Sequence, residues 1–208
     1  MEAERSETVA LEGDAAEEWV LTAVESAANL SVGACLDLLK RMAASGNGTK
    51  ADNWADLLYD ALAKANRMEQ VLDVVEAQTG WHDGDAEFSA LAAKHVEESW
   101  KDASGKAMRE SAGWDSNLPV QEALRRSRVL LSLKPQALCF EKTWGFGVVR
   151  SADMFYRKVT IDFKGKAGHQ MSLAYAAESL EMVGDGHLLA RLHREPAQVT
   201  EMIRSAPG

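Results

Sequence analysis

The chain has 208 residues, 46% of them hydrophobic and 26% charged, a balance typical of globular proteins and unlike that of disordered ones. No apolar run approaches the roughly 18 residues that span a bilayer, and residues 1–8 are charged rather than signal-like, so neither a secreted nor a membrane-embedded protein is expected. The net charge of −9 is uneven: residues 1–133 hold 13 Lys/Arg against 24 Asp/Glu, and residues 134–208 hold 10 against 8. That excludes a chain coated along its length on nucleic acid, and it gives the acidic part a protein partner as its natural occupant.

This length suits one large core or two modest ones, and two are expected. Residues 1–133 read as a helical domain, and residues 134–208 as a small β-barrel over about 137–183 followed by C-terminal helices.

Asp14 and Glu17 have capping-box spacing, which places a helix start there. Its apolar stripe runs Val20, Ala23, Val24 and Ala27, with Trp19 at the edge. Asn29–Leu30–Ser31 then looks like a tight junction into a second helix, whose stripe is Val32, Cys35, Leu36, Leu39, Met42 and Ala43. Two glycines in Ser45–Gly46–Asn47–Gly48 end it in a loop.

Asp52 is expected to cap a third helix with Trp54, Leu57, Leu58, Ala61, Leu62 and Ala65 buried. Met68, Val71, Leu72 and Val75 continue on the same axis or after a turn near Asn66. The chain breaks again between Gly80 and Gly84, and a further helix from about Asp85 carries Phe88, Leu91, Ala92, His95, Val96 and Ser99 on one stripe.

Trp19, Trp54 and Phe88 recur at intervals of 35 and 34 residues, a period that suits two-helix repeats. The small-residue positions typical of tetratricopeptide repeats are missing, so an irregular bundle stands beside the repeat reading. Residues 103–115 are poorly periodic and read as a linker or frayed helix. Pro119 opens the next helix, with Val120, Ala123, Leu124 and Leu131 inward and Arg125, Arg126 and Arg128 outward, as a solvated face or a contact for an acidic or phosphate-bearing partner.

Past Pro135 the apolar period changes to two. Val159, Ile161 and Phe163 alternate with Lys158, Thr160 and Asp162, which is what a strand with one buried face requires. Residues 164–168 make a turn, and Met171 and Leu173 continue the apolar face on a return strand. Residues 138–141 and 147–150 give two short strands around Trp144–Gly145–Phe146–Gly147, and residues 180–183 a closing one. Five short strands in so few residues predict a small SH3-like or Tudor-like antiparallel barrel, making the fold class α+β, with helices again from Gly186 to Ser205.

Chemistry finds little support. Gly165–Lys166 is followed by Ala167 in a hairpin, not by the Ser/Thr of a phosphate loop, and Gly145 and Gly147 read as bend residues with Phe146 plugging the barrel end. His82, His95, His169, His187 and His193 never pair with Cys or a carboxylate at ligand spacing, so no metal or other cofactor is expected. Cys35 and Cys139 sit among apolar neighbours as reduced core thiols. His95 reads as a satisfied, partly buried histidine, and His187 and His193 as solvated or partner-facing. The best functional constellation is aromatic and basic, with Trp144, Phe146, Phe155 and Tyr156 interleaved with Lys142, Arg150, Arg157, Lys158, Lys164 and Lys166; such a set stacks bases or grips a protein strand.

The runs Phe140–Glu141–Lys142–Thr143–Trp144–Gly145–Phe146–Gly147–Val148–Val149 and Phe155–Tyr156–Arg157–Lys158–Val159–Thr160–Ile161–Asp162–Phe163, then Gly168–His169 and the SLAYAAESL of residues 172–180, carry a resemblance to a known family. Residues 135–195 resemble the N-terminal region of the long Gre-type transcription elongation factors of chlamydiae and related bacteria, where helices and a small barrel precede the Gre part. Gly145–Phe146–Gly147–Val148–Val149 also resembles, more loosely, the opening of Tudor-like modules that bind RNA polymerase. The resemblance implies transcription, a bacterial cytoplasmic setting, and RNA polymerase as partner. The heptad hairpin with an acidic tip and the FKBP-like domain of Gre factors do not occur in this sequence, so transcript cleavage does not carry over, and the chain reads as the N-terminal part of a longer Gre-like protein.

The expectation is therefore a non-catalytic, transcription-associated binding module with no small-molecule substrate. It docks on RNA polymerase, or contacts DNA or RNA, through Trp144, Phe146, Tyr156, Arg157, Lys158, Lys164 and Lys166. The alternative is a general protein-interaction module working through the acidic helical array.

Overall fold

A computed structural model describes residues 13–25, 31–82, 84–100, 104–184 and 186–205. Among them are ten helices and one five-stranded antiparallel sheet, an α+β fold. The chain divides into two compact units at Arg128 and Val129.

The first unit holds α1 (Gly13–Glu25), α2 (Val32–Ala44), α3 (Gly48–Lys64), α4 (Met68–Gln78), α5 (Ala86–Glu98), α6 (Ser104–Ala112) and most of α7 (Val120–Ser132). Through α6 each helix from α2 on packs against the next, apart from α5 on α4, which is lighter, and α1 also packs on α3 and α2 on α4. The starts of α2, α4 and α6 fall at residues 32, 68 and 104, steps of 36. A period near 35 is thus present in the helix pairs, whereas the aromatics are not helix openers: Trp54 is the seventh residue of α3 and Phe88 the third of α5. The core includes Leu38, Leu39, Leu58, Leu62, Val74, Val75, Ala92, Met108 and Leu124.

Several boundaries differ from the sequence expectation, each for a physical reason. The Asp14 and Glu17 side chains, and Ala27, Asn29 and Leu30, lie outside the described residues. In α2 the buried stripe is Val32, Ala34, Cys35, Leu38 and Leu39, rotated so that Leu36 is only half-buried. Helix α3 begins at Gly48, and Asp52 lies inside it instead of capping it, because its carboxylate is used in a tertiary contact. Leu57 and Leu91 are exposed. The turn at Asn66 is real, with that residue at φ +57° separating α3 from α4. Helix α5 starts where expected, and Asp85 caps it by accepting the N–H groups of Glu87 and Phe88.

Residues 104–112 form a packed helix, not a linker. Gly105, Ala107, Met108, Ser111 and Ala112 are buried in α6, and a Cβ on Gly105 would lie 2.2 Å from the Glu97 carbonyl oxygen of α5. Close approach of two backbones at Gly105, together with the buried Met108 side chain, holds this helix.

The second unit contains β1 (Leu138–Glu141), β2 (Gly145–Asp153), β3 (Lys158–Phe163), β4 (Lys166–Ser172), α8 (Leu173–Ser179), β5 (Leu180–Val183), α9 (Leu188–Arg194) and α10 (Pro196–Ser205). The sheet order is β4-β3-β2-β1-β5. Val149, Val159, Ile161, Phe163 and Met171 share the buried face with Leu173, Ala176 and Ala177 of α8. Gly147 has no room for a side chain, since its Cβ would meet Ile161 and Phe163 at 2.7 Å. Leu173 starts a helix instead of extending β4, because the Ser172 hydroxyl accepts the Tyr175 N–H and caps it. No pairing joins β4 to β5 among the described residues, so the closed barrel expected from the sequence is not formed by the hydrogen-bond ladder.

Candidate binding surface

The aromatic and basic residues of the sheet are positioned by its turns. At the β1–β2 turn Glu141 is only 3% exposed, and its Oε2 accepts the N–H groups of Thr143 (2.7 Å) and Trp144 (2.9 Å). The buried carboxylate is thereby satisfied, and the turn is fixed with Gly145 at φ +74°. Trp144, 38% exposed, lies 5.1 Å from the His169 ring and 6.4 Å from that of Phe163. The Lys166 ammonium sits 3.9 Å above its ring centroid. One ring face is already taken by a cation–π contact, so Trp144 and Lys166 engage each other before any partner.

Phe146 does not plug the barrel end: it is 48% exposed and packs at 5.1 Å against Phe140, its cross-strand partner. Val149 of the same strand points inward, and Phe146 has the opposite parity, so the sheet's outer face is its place.

At the β2–β3 hairpin the Tyr156 N–H donates to Asp153 Oδ1 at 2.8 Å. Arg157 adopts φ +53°, and its carbonyl accepts the Leu173 N–H at 2.9 Å, tying the hairpin to the start of α8. Held on this support, Phe155 is 82% exposed and Tyr156 69%, their rings edge to face at 5.0 Å. They are the two most exposed large hydrophobic side chains among the described residues.

The strand register separates the expected residues. Gly147 pairs with Phe163 and Phe163 with Lys166, so Trp144, Lys164 and Lys166 lie at one end of the sheet. Asp153 pairs with Lys158 and Lys158 with Ser172, so Tyr156, Arg157 and Lys158 lie at the other. Six residues of β3 separate the ends by about 17 Å. Arg150 is paired with Asp162, which also accepts the Gly168 N–H, and these contacts hold the Asp162 carboxyl below its ordinary value. Sequence reasoning thus joined two groups that the sheet keeps apart. Phe155, named there only in the wider constellation, is the most exposed aromatic of all.

A second polar cluster, not foreseen, lies in the helical unit. Asp52 Oδ1 accepts from Gln78 Nε2 (2.9 Å) and Trp81 Nε1 (3.0 Å) and faces His82 Nε2 at 2.9 Å. Partial burial alone would raise the Asp52 carboxyl, but hydrogen bonds from His82, Gln78 and Trp81 hold it below the usual value. The Tyr59 hydroxyl donates to Gln78 Oε1 and its ring stacks on His95 at 4.0 Å; burial pushes this phenol well up. His82 stacks on Phe88 at 4.7 Å, and its Nδ1 is 3.4 Å from Asp85 Oδ2. Both ring nitrogens of His82 thus face carboxylates within the helical unit.

His95 corrects an expectation. Its Nε2 lies 3.3 Å from Asp56 Oδ1 but makes no hydrogen bond, so it is a buried, unsatisfied atom, and burial lowers its pKa. His187 caps α9 by accepting the Leu189 N–H. The arginines of α7 lie on a partly solvated face, Arg125 the most exposed, and are already engaged with carboxylates. Arg125 and Arg126 both grip Glu122 and hold it at about 2, and Arg128 reaches Asp73 (2.9 Å) and Glu76 (2.7 Å).

Both cysteines are buried and unbridged; burial pushes Cys35 to about 12 and Cys139 to about 11, so neither is a thiolate nucleophile. No group of three potential metal ligands comes together among the described residues, and no helix there is long and apolar enough to cross a membrane. Compared with known proteins, the chain matches no family model, no curated protein and no solved structure.

Proposed function

We propose that this protein is a non-catalytic, transcription-associated binding module whose sheet unit docks on RNA polymerase or on the nucleic acid beside it. The observation that carries the reading is the pair of exposed aromatics, Phe155 and Tyr156, held on a hydrogen-bonded hairpin and followed by two cations. Ring surface of this size presented to water without a core to fill is characteristic of interaction sites. The strand order, with α8 carrying the chain between the two edge strands, supports an SH3-like or Tudor-like barrel left partly open. On this reading the chain is the N-terminal part of a cytoplasmic Gre-like elongation factor, and it binds macromolecules with no cofactor.

Pull-down of RNA polymerase from a bacterial extract with the full chain tests the proposal. The wild type should retain polymerase. The Lys158→Glu, Lys164→Glu, Lys166→Glu triple variant should retain less, with the greater loss at low salt, because the charges it reverses act through a screened field. Capture left unchanged at both salt concentrations would overturn sheet docking and move the contact to the acidic helical unit.

A further inference from the structure

The two ends of the sheet differ in what they leave unoccupied. At the β1–β2 end the Trp144 ring is covered by Lys166 and flanked by His169 and Phe163. At the β2–β3 end the Phe155 and Tyr156 rings have no aromatic neighbour but each other, meeting at 89°. An edge-to-face pair keeps broad ring surface available on both members, which are 82% and 69% exposed.

Charge at the tip points to one class of partner. Residues 153–158 contain a single acid, Asp153, whose carboxylate accepts the Tyr156 N–H, and two cations, Arg157 and Lys158. Lys158 is exposed at the head of β3, on the parity opposite Val159 and Ile161. Aromatic faces beside cations suit a flexible polyanion whose bases are already unstacked, since every base has a face to stack and every linkage a charge to neutralise. The hairpin is also preorganised: Asp153 holds one side and the Leu173 N–H holds the Arg157 carbonyl. Binding therefore does not have to order the loop.

We propose that the β2–β3 hairpin tip binds single-stranded nucleic acid, with bases stacked on Tyr156 and Phe155 and Lys158 on the backbone phosphates. This rests on the reading of the sheet unit as a docking module, and assigns that module a ligand. Stacking of this kind tolerates sequence, so RNA and DNA of mixed composition should both bind.

Fluorescence anisotropy of the full chain with labelled dT12 and U12 tests it, beside the polymerase pull-down. Tyr156→Ala and Phe155→Ala should each weaken oligonucleotide binding about 10-fold or more, and Tyr156→Phe should restore most of it, since the ring and not the hydroxyl stacks. Lys158→Gln should lower the slope of log K against log salt by about 0.7. Trp144→Ala, at the far end, should leave binding within twofold. Wild-type chain that captures polymerase but binds neither oligonucleotide overturns the inference and leaves docking standing; if that capture falls in Phe155→Ala, the tip is a protein contact. Loss of both capture and oligonucleotide binding in the wild type overturns both readings. Binding that survives removal of both rings overturns the stacking geometry.

Discussion

The helical unit and the sheet unit handle their polar and aromatic residues in opposite ways. In the first, Arg125, Arg126 and Arg128 grip Glu122, Asp73 and Glu76, and Gln78, Trp81 and His82 converge on Asp52, with Tyr59 bonded to Gln78. In the second, Phe155 and Tyr156 project from a hairpin held by the Tyr156 N–H on Asp153 and the Leu173 N–H on the Arg157 carbonyl. A cluster of arginines in sequence is therefore not by itself a contact surface. What decides is whether the fold supplies the partner internally: it does so for these arginines and, in the sheet unit, for Arg150 and Lys166, while the Phe155 and Tyr156 rings stay largely in water. Variants in the two units should accordingly fail in different ways.

The largest effect belongs to the close contact of α5 and α6. Gly105→Ala would put a Cβ 2.2 Å from the Glu97 carbonyl oxygen, backbone that cannot swing aside. Urea denaturation should show a loss of roughly 3 kcal/mol, the upper part of the range for overpacking. A loss under about 0.5 kcal/mol would mean that α6 is not packed there, as a linker or frayed helix over residues 103–115 would have it.

Asp52→Ala should be next. It removes the common acceptor of the buried Gln78 and the half-buried Trp81 and the partner of His82, and leaving such donors unpaired costs about 1–2 kcal/mol. The pH dependence has a definite sign. The folded carboxyl is held below its unfolded value, so its contribution is complete above about pH 4. It fades as pH falls through the lower, folded value. Wild type and variant should therefore converge in stability as the solution is acidified, as thermal melts across pH 6 to 2 would show. A difference that stays constant over that range would remove the ionised carboxylate from the explanation.

Much of this contrast was legible in the sequence, in the places where one signal acts alone. Period-two alternation located β3 from Lys158 to Phe163, and the break between Gly80 and Gly84 followed by a helical apolar stripe located α5. Asp52 misled because a helix cap and a tertiary acceptor are the same residue type in sequence, and only Gln78, Trp81 and His82, 26 to 30 positions on, distinguish them. Helix α6 reads in sequence only as a linker or frayed helix because Met108 is the one large apolar side chain among its glycine, alanine and serine residues. The residues of the candidate surface were found as types, but not their division between two ends. That division follows from strand register, and composition does not encode register.

The smallest stability effect should come from the tip, and for that reason it discriminates best. Phe155→Ser with Tyr156→Ser removes two large rings, a change that in a core would cost several kcal/mol for each. Both rings are more than two-thirds exposed and touch chiefly each other, so little burial is lost. The hairpin is held by the Tyr156 backbone N–H and by the Arg157 carbonyl, and neither contact involves the deleted atoms. The double variant should therefore melt within about 0.5 kcal/mol of wild type, as substitutions on an uninvolved surface do. Its solubility should rise, since an apolar patch has gone. Calorimetry of the two proteins side by side checks this. A loss of 2 kcal/mol or more would show that the rings serve the fold, and the contrast between a unit that satisfies its own groups and a unit that presents them would then fail at its most exposed point.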